Sequence, residues 1–213
     1  MNRVLINIVY LPDKGQVKDW LNMPQKSFDK IKQDFSFYKS LLEERKSIFS
    51  EVIEVNNPGN NKGTLSKEEK LHHNSLPSEP MVLLVDVKVN NHDFFQFKLR
   101  YKEFIPAPFF RFDSDGDTHR NRIIGIPLEK QSIPTPHFHK FNNEGVEIAY
   151  QTDKLLDPNE SKALEDINIC IIHFFYESNT RLNNDDFPEI SIMSDSLGLK
   201  LEKVDPNQNI NFL

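Results

Sequence analysis

Between Met81 and Tyr101 apolar and polar residues alternate so regularly that the chain has few ways to fold. MVLLVDVKV (81–89) and FFQFKLRY (94–101) are two strand-like runs split by the polar turn Asn90–Asp93, the pattern of an antiparallel hairpin. In the second run Phe95, Phe97, Leu99 and Tyr101 alternate with Gln96, Lys98 and Arg100, which gives one apolar and one polar face. A third run at 108–113 repeats the pattern, with Phe110 and Phe112 against Arg111 and Asp113. A meander of these strands places Lys98, Arg100, Arg111 and Asp113 on one face. A further hairpin joins 133–141 to 146–150 around Asn142–Gly145, so roughly four to six mainly antiparallel strands are expected.

Helical patterns flank this sheet. From 25 to 52, Phe28, Ile31, Phe35, Tyr38, Leu41, Leu42, Ile48, Phe49 and Val52 recur at intervals of three and four, which predicts one long amphipathic helix with a charged outer face. From 155 to 178, Leu164, Ile167, Cys170, Ile171, Phe174 and Phe175 form a second stripe, entered through Asp157 as cap and Pro158 in the first turn. This C-terminal helix is expected to pack against the sheet, and the fold class is α+β. The run RVLINIVYL (3–11) reads as a strand, and 189–193 as a short one. The expected organisation is an N-terminal strand and helical arm (1–55), a flexible connector (56–80), an α+β core (81–180) and a C-terminal strand with a polar tail (181–213). In the connector, His72 and His73 read as solvent-exposed.

Composition narrows the classes. With 17 Phe against one Trp the core is Phe-packed, and the single Cys170, set in INICIIHFF, reads as a buried structural thiol. The net charge of −6 argues against a general nucleic-acid coat, yet 81–141 holds nine Lys and Arg against seven Asp and Glu. That region is therefore +2 and the remainder −8, which permits a local anionic substrate. No apolar run reaches the roughly 20 residues of a membrane span, and the N-terminus lacks a signal-peptide cleavage pattern, so a cytoplasmic protein is expected.

Titratable residues crowd into Phe109–Tyr150. Arg111, Asp113, Asp115, Asp117, His119, Arg120, Asn121, Arg122, His137, His139 and Lys140 all fall there, a density that a packed core does not need. His137 and His139, one residue apart on a strand, share a face, with Phe138 on the other. Such a pair suits a metal or acid–base work. Cleaving RNA without metal needs a base, an acid and a cation for the developing phosphorane charge, which the histidines, Arg111 and Lys140 can supply. DSDGD (113–117) fails as an EF-hand, because Gly116 is fourth and Ile124 stands twelfth; a turn in which Asp side chains bond nearby amides explains it.

Two resemblances add to this. HFHKFNNE (137–144) is similar in part to the HxH-x4-E opening of the first cupin motif, which implies a metal at His137, His139 and Glu144; Gln131 stands where that motif has glycine, and no second motif follows. Arg-Phe-Asp at 111–113, Gly116, His119, Asn121 and Pro-His-Phe-His at 136–139 resemble small prokaryotic toxins of the TumE type from toxin–antitoxin loci, over about 82–150. That resemblance implies a prokaryotic cytoplasmic protein acting on RNA, with an antitoxin or another protein as partner. The long N-terminal part and the tail depart from the small toxins, so toxin, immunity factor and defence component all stay open.

Three functions follow as expectations. The first is a toxin–antitoxin or phage-defence ribonuclease without cofactor, with Arg111, Asp113, His119, His137 and His139 catalytic and Arg100, Asn121, Lys140 and Tyr150 binding substrate. The second is a metal enzyme using His137 and His139 with Glu144 or Asp113. The third is a non-catalytic binding or immunity protein. For a catalytic role His139 and Arg111 are expected on a wet face, whereas in the third reading the polar strip is structural.

Overall fold

The computed structural model describes residues 27–76, 81–123 and 125–199. The strand expected at 3–11 lies outside them. Six strands carry the main sheet: β4 (Thr64–His73), β5 (Met81–Lys88), β6 (Asn91–Arg100), β7 (Phe110–Asp113), β10 (His137–Phe141) and β11 (Glu147–Tyr150). They lie in the order β11-β10-β7-β6-β5-β4 and pair antiparallel throughout. Two short strands extend the β4 side, β1 (Lys46–Ile48) and then β12 (Thr180–Leu182), which runs parallel to β1. Strand β3 (Asn57–Pro58) also pairs with β4. Separately, β2 (Val52–Val55) pairs with β13 (Glu189–Ile192), and β8 (His119–Arg120) with β9 (Ser132–Ile133). The fold is α+β, and the hairpin at 81–101 forms where the alternation places it; that expected from 133–141 and 146–150 forms from His137 onward, since Ile133 pairs instead with His119 in the β8–β9 ribbon.

The expected helix at 25–52 is broken. It becomes α1 (Asp29–Gln33) and α2 (Phe35–Glu43), followed by β1 and β2. At Asp34 the backbone leaves the helical region (φ −134, ψ 62), and its carboxylate caps α2 by accepting from Phe37 N at 3.0 Å. At the other end Lys46 ends the helix. Its buried ammonium donates to the carbonyls of Leu41, Leu42 and Glu44 at 2.7, 2.9 and 2.7 Å, satisfying acceptors that a helix end leaves open. Ile48, Phe49 and Val52 continue the apolar rhythm only by coincidence, because their backbone is already extended or looping.

The expected connector at 56–80 is a second correction. Ten of its residues, Thr64–His73, form β4, which pairs with β5 from Thr64↔Lys88 to Leu71↔Met81. Most of β4's side chains stay outside the core, which is why the sequence reads as polar. His73, expected to be exposed, is buried at 1% and lies 3.3 Å from the Ser40 carbonyl; His72 is exposed.

The C-terminal stripe is divided among α3 (Asp153–Leu156), α4 (Pro158–Ala163) and α5 (Ile167–Glu177) rather than one helix. The breaks are capping events: Asp157 accepts from Asn159 N and Glu160 N, and Asp166 from Asn168 N and Ile169 N. Helix α5 covers the apolar face of the sheet. Phe174 packs on Phe97, Phe110 and Phe138 at centroid distances of 5.4, 5.3 and 6.3 Å. There His173 Nε2 lies 2.9 Å from Thr152 Oγ1 while its Nδ1 is buried without a hydrogen-bond partner, and Cys170 is a buried thiol.

The opposite face is divided. Near the start of β7 it is apolar, covered by α2: Tyr38 donates its hydroxyl proton to Phe109 O (3.2 Å) and accepts from Phe141 N (2.8 Å). Near the end of β7 it is polar, and the β8–β9 ribbon stands over it.

Candidate metal centre

Register builds the site. β10 pairs with β7 so that His137 lies opposite Asp113 and His139 opposite Arg111, and facing residues on antiparallel strands share a face. Asp113 also faces Gln96 on β6, and Gln96 Nε2 donates to its Oδ1 at 2.9 Å. That bond orients the other oxygen, Oδ2, toward Arg111 Nε (3.2 Å), His139 Nε2 (3.1 Å) and His137 Nε2 (3.8 Å).

The histidines are not on a wet face. His137 and His139 are 1% and 2% exposed and Asp113 8%, because neighbouring strands, the β8–β9 ribbon and one another's rings enclose them. One ligand atom from each of Asp113, His137 and His139 lies within 4.8 Å of the other two, so this cluster can hold a metal ion. The atoms bound to one such ion at about 2.0–2.2 Å are themselves about 3 to 3.5 Å apart; here Asp113 Oδ2 lies 3.1 Å from His139 Nε2 and 3.8 Å from His137 Nε2, so an ion would draw the wider pair in.

The proton positions follow from the partners. A carbonyl oxygen only accepts, so the 3.0 Å contact of His137 Nδ1 with Pro134 O makes Nδ1 the donor. His139 Nε2 stands between a donor, Arg111 Nη2 at 3.0 Å, and an acceptor, the Asp113 carboxylate oxygen Oδ2 at 3.1 Å, so it bonds one of them at a time. The His137 Nε2 lone pair then faces the Asp113 carboxylate at 3.8 Å, with the Arg111 side chain beside it for balance. On the far side, His139 Nδ1 is buried without a hydrogen-bond partner and has Glu147 Oε1 at 3.7 Å. A carboxylate behind a ligating imidazole is a common outer partner at metal sites.

Burial sets the protonation. It is the main cause that lowers the pKa of His137 and brings His119 down to about 4, with the neighbouring His139 adding to it. Both rings are neutral near pH 7, the state in which imidazole binds a metal. Burial alone would raise the Asp113 carboxyl, but the His139 hydrogen bond and the Arg111 and histidine charges outweigh it, so its pKa lies below the ordinary value.

His119 reaches the cluster from β8, with its ring centroid 4.8 Å from that of His139 and 6.2 Å from that of His137. A cavity of about 430 Å³ opens beside it, lined also by Phe94, Gln96, Asp117 and Thr135. The loop from 114 to 117 forms its rim as a turn, with Ser114 Oγ donating to Asp93 O (2.7 Å) and Asp115 Oδ1 accepting from Gly116 N (2.8 Å).

Four expected substrate contacts fall elsewhere. Lys140 and Tyr150 lie on the Phe138 side of the sheet, with the Lys140 ammonium 4.4 Å from the Tyr150 ring centroid and the Tyr150 hydroxyl 3.3 Å from Glu177. Alternation along β10 requires this, since Lys140 follows His139 by one residue. Arg100 lies beyond Lys98 on β6, opposite Val82, and does not line the cavity. Asn121 acts on the backbone: its Nδ2 donates to Ala149 O (2.8 Å) and its Oδ1 accepts from Ala149 N (2.7 Å), fastening the β8–β9 ribbon to edge strand β11. Glu144, the carboxylate of the cupin-like pattern, is at the β10–β11 turn, paired with Lys32 at 2.5 Å. Gln96 and Glu147 were not singled out as site residues. The pairing of 133–141 with 146–150 contains the signal for Glu147, which is diagonal to His139 across the hairpin.

Fold and site together define an α+β protein with a buried His2Asp cluster beside an open cavity. Compared with family models, with curated proteins and with solved structures, the chain matches none of them. Among the described residues no helix is long and apolar enough to cross a membrane.

Proposed function

We propose that the protein is a metal-dependent hydrolase whose divalent ion is held by Asp113, His137 and His139. The observation that carries this reading is the convergence of two buried imidazole Nε2 atoms on one buried carboxylate, with the Nε2 of His137 left free by the bond of its Nδ1 to the Pro134 carbonyl. Such an arrangement is costly without a cation and matches the ligand set of catalytic zinc and non-haem iron sites, which keep a position open for water or substrate. A bound ion would lower the pKa of a coordinated water and so supply the nucleophile. His119, neutral and lining the cavity, would face a substrate held at such an ion. Gln96 and Glu147 orient the ligands from behind.

A second reading keeps the expected ribonuclease of a toxin–antitoxin or defence system, with RNA as substrate and an antitoxin as partner. It is favoured by the gathering of His119, His137, His139 and Arg111 in one cavity. Its weakness is the low pKa of His119 and His137, since metal-free cleavage needs one protonated imidazole near neutrality.

The two readings separate in one assay. RNA and an activated phosphodiester are offered to the protein after chelation and after addition of zinc, manganese or ferrous ion. The metal reading predicts activity that chelation abolishes, that one of these ions restores, and that His137→Ala lacks. RNA cleavage that persists in the chelated protein would establish the second reading instead.

A further inference from the structure

Arg111 holds a position that an ion would need. Its Nη2 lies 3.0 Å from His139 Nε2 and its Nε 3.2 Å from Asp113 Oδ2, the two atoms of these residues that face one another in the cluster. Nη2 is also 3.7 Å from Glu147 Oε1. The guanidinium therefore spans a ligating imidazole, a ligating carboxylate and the carboxylate behind them. One lone pair on His139 Nε2 cannot serve both a guanidinium proton and a metal ion.

We propose that Arg111 and the metal compete for His139 Nε2 and Asp113 Oδ2, so that ion entry expels the guanidinium from the cluster. This rests on the metal-centre reading above and adds its regulation: the arginine neutralises the site while it is empty of metal and sets a threshold for loading. The expelled side chain retains Glu147 as a partner, so its charge stays beside the cavity, where an anionic substrate on the ion would meet it. Lys98 supplies the control, because it faces Arg111 across β6 and β7 and carries the same charge, yet is paired with Asp86 at 2.6 Å and touches no ligand.

The test is a zinc titration of the chelated 213-residue chain, its Arg111→Gln variant and its Lys98→Gln variant. Arg111→Gln is expected to bind zinc about tenfold more tightly, the equivalent of one charge-assisted hydrogen bond removed from competition. Lys98→Gln should stay within about twofold, as for a charge already paired. An unchanged or weaker affinity in Arg111→Gln overturns the competition while leaving the metal centre standing. Equal tightening in both variants also overturns it, because it would then be general repulsion. Absence of stoichiometric zinc from all three proteins overturns the competition and the metal centre together. A second measurement needs no variant: the side-chain Nε–H resonance of Arg111 must shift on zinc saturation, and an unmoved resonance sinks the proposal.

Discussion

The two faces of β7 and β10 are built from neighbouring residues and obey different physics. On one, Phe110, Phe112 and Phe138 stack with Phe97 and Phe174 in a dry layer under α5. On the other, one residue along, Asp113, His137 and His139 are almost as well buried and Arg111 is half-buried beside them, yet every polar atom there needs a partner of the right sign. The aromatic face contributes stability by area and contact, whereas the polar face contributes little net stability and fixes donor atoms in space. The difference teaches that the Phe layer is the scaffold on which the metal centre is held rigid.

The largest expected effect breaks the scaffold. Phe112→Ala removes a ring in contact with Phe95, Phe97 and Phe138 and is expected to destabilise by about 3–5 kcal/mol in a urea titration. The polar face should lose its metal affinity with it. Retained ion binding in that variant would show that the polar cluster is positioned independently of the rings.

Acid sharpens the comparison. His119 and His137 on the polar side and His173 beneath Phe138 all have folded pKa values below the ordinary 6.5, with burial as the first cause. The unfolded chain then binds more protons than the folded one between about 6.5 and 4, so stability is full above that window and falls as the pH drops through it. Thermal melts across this range should show the loss. Bound zinc should steepen it, because the same protons expel the ion. A midpoint that does not move between pH 7 and 4 would contradict the neutral-ring account.

The smallest effect is expected from Lys140→Ala. Its ammonium rests over Tyr150 on the other side of the sheet, so zinc affinity and any hydrolytic activity should equal those of the parent chain. A clear loss of activity would place Lys140 in the site after all.

Much of this contrast was legible in the sequence. The alternation that predicts the hairpins also puts Arg111 and Asp113 on one face and His137 with His139 on one face, and register then joins them. The same rule separates Lys140 from His139, although the crowding of charges in that stretch suggested one cluster. What alternation does not carry is cover. The β8–β9 ribbon that buries the histidines depends on Asn121 reaching the backbone of Ala149 and on Gln131, whose amide bonds Ile123 at both N and O (2.7 and 3.1 Å). Both are long-range side-chain-to-backbone contacts without a periodic signature. The breaks at Asp34, Asp157 and Asp166 are local capping decisions within apolar rhythms that run on past them. β4 was hidden because a strand with little burial has little apolar pattern to show.

The central claim is that Asp113, His137 and His139 bind one ion. X-ray absorption at the zinc edge of the reconstituted protein reads this directly, since imidazole and carboxylate scatter differently. The account predicts one zinc per chain with two imidazole nitrogens and oxygen in its first shell, falling to one imidazole in His137→Ala. A first shell without imidazole, or a protein that retains no zinc after desalting, would contradict it.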